Sequence, residues 1–173
     1  MVDLKKFVRD VPDYPKPGIL FRDITPLLGD ASALEAATDA LAELFEGEDV
    51  DVIAAAEARG FIFAAPLAIR LGVGFVPIRK PGKLPYESHS YAYDLEYGSD
   101  ELQIHVDGVQ KGQRVLLMDD LLATGGTMEA CCRLLEKAGA EIVGCAFLIH
   151  LIELAGERRL EPYRCRSVLS YGG

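Results

Sequence analysis

The sequence predicts an α/β protein, a mostly parallel sheet with helices on both faces. Three observations carry this. Apolar runs of strand length, such as Val52-Ile53-Ala54-Ala55-Ala56 and Val115-Leu116-Leu117-Met118, lack the alternation of a half-exposed strand. They take turns with segments of helical period. Two of them run directly into polar, glycine-bearing junctions, Glu57-Ala58-Arg59-Gly60 and Asp119 to Thr127, where open α/β sheets place their ligands. With 173 residues, half of them apolar, no internal repeat and no linker-like segment, one domain over 1–173 is expected.

Leu4, Phe7, Val8 and Val11 recur at helical spacing and predict a short opening helix, ended by Pro12, Pro15, Pro17 and Gly18. A second helix starts near Asp30 or Ser32. Ser32 with Glu35 reads as a capping box, Leu34, Ala37, Leu41, Leu44 and Phe45 form its apolar stripe, and Gly47 stops it. After the strand at Val52–Ala56 a helix is expected from about Phe61 to Leu71, then a strand at Gly74-Phe75-Val76-Pro77-Ile78. From Lys80 to Asp94 the composition turns to Pro, Gly, Ser, Tyr and charge with no apolar period, which predicts a long functional loop, a lid over about 80–98. Leu102, Ile104 and Val106 alternate with acids and His105, a half-exposed strand with a surface histidine. His89 reads as open and His150 as a satisfied core residue. The strand at Val115 is followed by a helix from Thr127 to Lys137, a buried strand from Ile142 to Leu151, a short helix from Gly156 to Glu161 and a last strand from Arg166 to Ser170.

The run Val115-Leu116-Leu117-Met118-Asp119-Asp120-Leu121-Leu122-Ala123-Thr124-Gly125-Gly126-Thr127 carries the chemistry. Successive N–H groups from Ala123 to Thr127 at a helix N-terminus favour a phosphate, helped by the macrodipole. Gly125 and Gly126 remove side chains that would hold it away, and Thr124 and Thr127 add hydroxyl donors. Asp119 and Asp120 cannot face a phosphate, so vicinal sugar hydroxyls are their natural partners. A Walker-B reading would need a G-x-x-x-x-G-K-[ST] loop, and Gly82-Lys83 is followed by Leu84 without the upstream glycine. At the other junction, backbone N–H groups and Arg59 suit the far end of the same ligand.

This run resembles the signature of the phosphoribosyltransferases, which use phosphoribosyl pyrophosphate. Four more segments narrow the likeness: Pro17 to Leu28, Glu57 to Phe61, Arg79-Lys80-Pro81-Gly82-Lys83-Leu84-Pro85 and Asp94-Leu95-Glu96-Tyr97-Gly98. Together they resemble the adenine-using family in its order from about Pro15 to Cys145. The resemblance implies the type I fold, a twisted five-stranded core with a small N-terminal hood over about 1–30. It implies a homodimer, Mg²⁺ held mainly by pyrophosphate with no direct protein ligand, and conversion of adenine and phosphoribosyl pyrophosphate to AMP and pyrophosphate. It further implies that Asp119 and Asp120 hold the ribose, and that Ala123, Thr124, Gly125, Gly126 and Thr127 hold the 5′-phosphate. Arg59, Arg79, Lys80 and Lys83 would attend the pyrophosphate. Leu20, Phe21 and Arg22 would form the adenine wall, with Phe21 stacked on the base. Glu96 would act near the purine N7 as the catalytic group, beside Tyr97 in the lid. Core packing for Phe21 and a local ion pair between Arg22 and Asp23 are the plainer readings of those residues. Ala64 departs from a glycine common in the family, and the region after Leu154 carries no motif.

A formal charge of −9 argues against nucleic acid as a partner and requires the cations for an anionic substrate to be gathered locally. No run is long and apolar enough to span a bilayer, and Met1-Val2-Asp3-Leu4-Lys5-Lys6 lacks a signal-peptide core, so a soluble, cytoplasmic protein is expected. Cys131, Cys132, Cys145 and Cys165 lack metal-like spacing and read as buried reduced thiols. Two rivals remain in view. A phosphoribosyltransferase for xanthine or hypoxanthine would need donors to a 6-oxo group, and Lys137, the only lysine after the loop, lies late in its helix. A non-catalytic sensor of phosphoribosyl pyrophosphate would need an added nucleic-acid-binding element.

Overall fold

A computed structural model describes residues 2–94 and 98–172. A 3-10 turn at Leu4–Phe7 leads into β1 (Arg9–Pro12) and β2 (Leu20–Asp23), followed by α1 (Thr25–Leu28), α2 (Ala31–Glu43), β3 (Val52–Ala56), α3 (Arg59–Leu71) and β4 (Gly74–Ile78). Then come β5 (Ser88–Asp94), β6 (Ser99–His105), β7 (Arg114–Leu122), α4 (Gly126–Lys137) and β8 (Glu141–Leu151). A 3-10 turn at Ile152–Leu154, α5 (Gly156–Arg159) and β9 (Cys165–Tyr171) complete the order.

The central sheet has five parallel strands in the order β4-β3-β7-β8-β9. Strand side chains alternate between faces, and both faces are dry. Val52, Ala54, Ala56, Val115 and Leu117 pack with α4 and with Leu102 and Ile104 of β6. Ile53, Ala55, Leu116 and Met118 pack with α2, α3 and the opening turn. That two-sided burial is why these strands read as continuous apolar runs. The chain leaves β3 for β4 on one side and returns to β7 on the other, so strand order reverses between β3 and β7. A crevice at such a switch point is where open parallel sheets bind ligands.

Helix ends follow local chemistry. Asp30 caps α2 by accepting from Ala33 N at 2.9 Å, so Asp30 starts this helix and the Ser32–Glu35 box does not. Gly72, at φ +70°, closes α3 in the left-handed conformation, with Val73 N donating to Ala68 O. Cys131, Cys132 and Cys145 are buried free thiols and Cys165 is half-buried. The Sγ atoms of Cys132 and Cys145 lie 3.7 Å apart.

Three sequence expectations need correction. The opening helix is a single 3-10 turn. Val11 lies in β1, which pairs antiparallel with β2 from Arg9↔Asp23 to Pro12↔Leu20. The long loop after Lys80 contains β5, which forms an antiparallel hairpin with β6 from Ser88↔His105 to Asp94↔Ser99. Tyr91 and Tyr93 of β5 pack against the core on the α4 side. His105 is half-buried rather than a plain surface residue, with Tyr86 set edge-on to it at 5.9 Å.

Candidate active site

β7 carries Asp119 and Asp120 within its last turns of strand, and the chain then bends through Ala123 and Thr124 into α4. Gly125 makes the bend at φ +81°, a conformation open to glycine at little cost. The hydrogen-bond ladder of α4 begins at Glu129, whose N–H donates to Gly125 O at 2.9 Å. The amides before it have no intrahelical partner, which is the anion-binding arrangement of a helix start. α3 approaches from the other side. A Cβ on Gly60 would stand 3.1 Å from Met118 O and 3.2 Å from Asp119 Oδ1, so glycine here permits the close seating of α3 on β7.

These elements enclose a cleft of about 230 Å³ lined by Arg59, Asp119, Asp120, the 121–127 loop, Met128 and Phe147. Every sequence-predicted residue of the ribose and 5′-phosphate sets therefore shares one cavity with Arg59. Arg59 Nε donates to Asp120 Oδ2 at 2.6 Å, and Asp119 Oδ1 accepts from Asp120 N at 2.8 Å. Desolvation pushes the Asp119 carboxyl well above the usual aspartate range, and the adjacent Asp120 charge adds to the effect.

The other cations gather beside this cleft around Glu57, a residue to which the sequence reading gave no role of its own. Glu57 accepts from Lys80 N at 2.8 Å and from Lys83 Nζ. Arg79 Nε lies 3.4 Å from Glu57 Oε1, an ion-pair distance without hydrogen-bond alignment. Burial alone would raise the Glu57 carboxyl, but the bonds from Lys83 and Lys80 and the nearby Arg79 charge outweigh it and hold the group below its ordinary value. Lys80 Nζ pairs instead with Asp100, which also accepts from Tyr93 OH at 3.3 Å. These carboxylates are far in sequence from their cations, and no local pattern announces them.

Leu20, Phe21 and Arg22 lie on β2 and do not line the 230 Å³ cleft. Leu20 is exposed, and Phe21 meets Tyr14 edge-on with ring centroids 5.1 Å apart. Arg22 pairs with Asp10 across the β1–β2 ribbon, and its guanidinium lies 4.1 Å from the centre of the Tyr171 ring. Arg22 makes these contacts rather than the alternative local pair with Asp23, which accepts from Thr25 N at 2.9 Å. Glu96 and Tyr97 lie outside the described residues. His150 is buried as expected but not satisfied, since its Nε2, 3.1 Å from Glu157 Oε2, has no aligned hydrogen-bond partner among the described residues. The region after Leu154, which reads as motif-free, packs directly against the 123–127 loop through Gly156.

The phosphoribosyl transferase domain family matches residues 28–171. A curated relative from Rhodopirellula baltica, named adenine phosphoribosyltransferase, is 70% identical over 172 residues, which cover 99% of this chain and 84% of the relative. The crystal structure of adenine phosphoribosyltransferase from Thermoanaerobacter pseudethanolicus superposes with a TM-score of 0.95 at 53% identity, covering 98% of each chain. The Saccharomyces cerevisiae enzyme, solved with an imino-altritol bisphosphate and adenine, superposes at 0.90 with 37% identity, covering 95% of this chain and 96% of that one. Matched in sequence over nearly its whole length and in fold by these proteins, the chain belongs to the adenine phosphoribosyltransferases of the phosphoribosyl transferase domain family.

Proposed function

We propose that the chain transfers the phosphoribosyl group of 5-phosphoribosyl 1-pyrophosphate to adenine, giving AMP and pyrophosphate, a purine-salvage reaction. One observation carries the assignment of the site. Arg59, the paired aspartates and the glycine loop all face a single cleft at the switch point of the sheet. In this reading the loop amides and the Thr124 and Thr127 hydroxyls bind the 5′-phosphate, and Asp119 and Asp120 accept from the ribose hydroxyls. Arg59, Arg79, Lys80 and Lys83 attend the pyrophosphate. Leu20, Phe21 and Arg22 of the hood, about 1–30, hold adenine. The yeast enzyme's crystallisation with adenine supports this choice of base.

The reaction is a displacement at the anomeric carbon. A purine nitrogen lone pair forms the new C–N bond as the C–O bond to pyrophosphate breaks, and the electron pair leaves with pyrophosphate. Charge develops on the sugar, as in glycoside cleavage. Fixed cations are most effective where the departing negative charge builds up. Glu96, in the lid over about 80–98, manages the proton of the base. Lid closure keeps water from the sugar cation. The oxygen donors of the cleft, two carboxylates and two threonine hydroxyls, suit a hard cation that takes most of its ligands from phosphate oxygens and water. Mg²⁺ held by pyrophosphate would supply charge neutralisation of that leaving group. Glu96→Ala is expected to lower kcat by about tenfold or more with a smaller change in KM, and an unchanged kcat removes the proton role.

Among the described residues no helix is long and apolar enough to cross a membrane, and the reading includes a cytoplasmic homodimer without a nucleic-acid partner. Sedimentation at micromolar concentration tests the dimer. The reaction itself is tested with radiolabelled adenine and phosphoribosyl pyrophosphate, with hypoxanthine, xanthine and guanine as competitors. Labelled AMP with little competition is expected. Absence of AMP, or preference for a 6-oxopurine, overturns the reading.

A further inference from the structure

The turn after β8 touches the glycine loop from behind, backbone against backbone. Ala155 enters it at φ +50°, and α5 starts at the buried Gly156. A Cβ at Gly156 would stand 2.2 Å from the Ala123 carbonyl oxygen and 3.0 Å from the Gly125 nitrogen. The fit is reciprocal, since a Cβ at Gly125 would stand 2.6 Å from the Gly156 carbonyl oxygen. No flexible side-chain end lies there to give way, so any added methyl forces the loop backbone itself to move. One turn on, Arg159 Nε donates to Glu129 Oε2 at 2.5 Å, and Nη1 stands 3.2 Å from where a Cβ of Gly126 would be. Glu129 is the residue whose N–H opens the ladder of α4 on Gly125 O. The turn is thus fastened to both ends of the loop.

Convergent amides bind an anion well only when their directions are set beforehand, and donors misplaced by about 1 Å can lose much of their value. The loop's own sequence supplies little stiffness, because its two glycines are the most permissive residues available. We propose that the Gly156 turn, with Arg159 as its clasp, is a positioning element that holds the 123–127 loop in its phosphate-binding shape without touching the ligand. The inference rests on that loop receiving the 5′-phosphate.

Calorimetric titration of AMP, with adenosine measured by competition, separates the two claims. In the wild-type protein AMP must bind more tightly than adenosine; equal affinities overturn the reading of the loop itself, whatever Gly156 does. Where that difference holds, Gly156→Ala is expected to weaken AMP by about tenfold and leave adenosine within about twofold, with KM for phosphoribosyl pyrophosphate rising more than kcat falls. A folded Gly156→Ala protein with the wild-type AMP-to-adenosine ratio overturns the positioning role. So does a parallel loss of both nucleotides, which is the mark of general damage. If Gly156→Ala does not fold, Arg159→Ala decides. It is expected to cost AMP about threefold or more, with adenosine unmoved and most of the loss restored by Arg159→Lys. AMP affinity unchanged in Arg159→Ala overturns the proposal.

Discussion

Two strand-to-helix junctions meet at the carboxyl edge of the sheet, and they are built on opposite plans. The one after β7 offers a neutral surface of amides and hydroxyls from Ala123 to Thr127, shaped by glycine and fastened from behind. The one after β3, with the segment after β4, is crowded with paired charge: Arg59 on Asp120, Arg79 and Lys83 on Glu57, and Lys80 on Asp100. In the proposed reading, a phosphate at the first junction meets only uncharged donors. An anion reaching the second competes with carboxylates that already hold its cations. In the proposed reading, one end is organised in advance and the other must exchange partners.

The acids between the two ends give the largest expected effect. Asp119→Asn with Asp120→Asn leaves the glycine loop intact but removes the charged acceptors for the ribose. Hydrogen bonds to charged groups contribute about 1.5–3 kcal/mol each, so kcat/KM should fall by at least about a hundredfold in steady-state assays. Near-wild-type kinetics would remove the acids from the site. Next comes the neutral end: Thr124→Val with Thr127→Val should weaken AMP by about tenfold to a hundredfold by calorimetry.

Glu57→Gln sharpens the contrast from the charged end. It frees Lys83 and Arg79, so phosphoribosyl pyrophosphate should bind a few-fold tighter, while Tm falls by a few degrees at neutral pH. The pH dependence of this stability has a definite sign. The Glu57 carboxyl is held below its ordinary value, so its contribution is complete above the unfolded value of about 4.3 and is lost as pH falls through the folded one. The melting curves of wild type and variant should converge in acid, and a constant gap would contradict the ion-pair account. Asp119 behaves oppositely. Its folded value is raised, so the unfolded chain releases its proton first and stability falls from about pH 3.9 up to the raised value. Asp119→Asn should therefore melt slightly higher than wild type at neutral pH, the smallest shift of this set, measured without ligand. A lower Tm there would show that the carboxylate is stabilised rather than strained.

What could be read from the chain was what lies contiguous in it. The Val115–Thr127 run names a strand, two acids, a loop and a helix start within thirteen residues, and its part from Asp119 to Thr127 lines one cleft. The parallel core was legible for a similar reason, because burial on both faces leaves uninterrupted apolar runs. The β5 strand was hidden. Ser88, His89, Ser90, Tyr91, Ala92 and Tyr93 show no aliphatic alternation, and the tyrosines gain their burial from the core on the α4 side. The opening turn misled for the opposite reason, since Leu4, Phe7, Val8 and Val11 keep a helical spacing although Val11 pairs with Phe21 in a ribbon. Glu57, Asp100 and Gly156 were silent because their roles arise from partners 20 or more residues away. Tertiary proximity leaves no local trace.

The strand order has a consequence for how the molecule opens. β3, which leads to Arg59, and β7, which carries the acids, are interior strands, whereas β4, which leads to Arg79 and Lys83, lies at the sheet's rim and is extended by the Arg79–Gln103 bridge. Interior strands open only with global unfolding, while rims fray. Amide-hydrogen exchange should accordingly be slowest at Ile53 to Ala55 and Leu116 to Met118, and faster along Gly74 to Ile78. In the proposed reading, the paired aspartates and Arg59 would then keep their places through fluctuations that loosen Arg79 and Lys83.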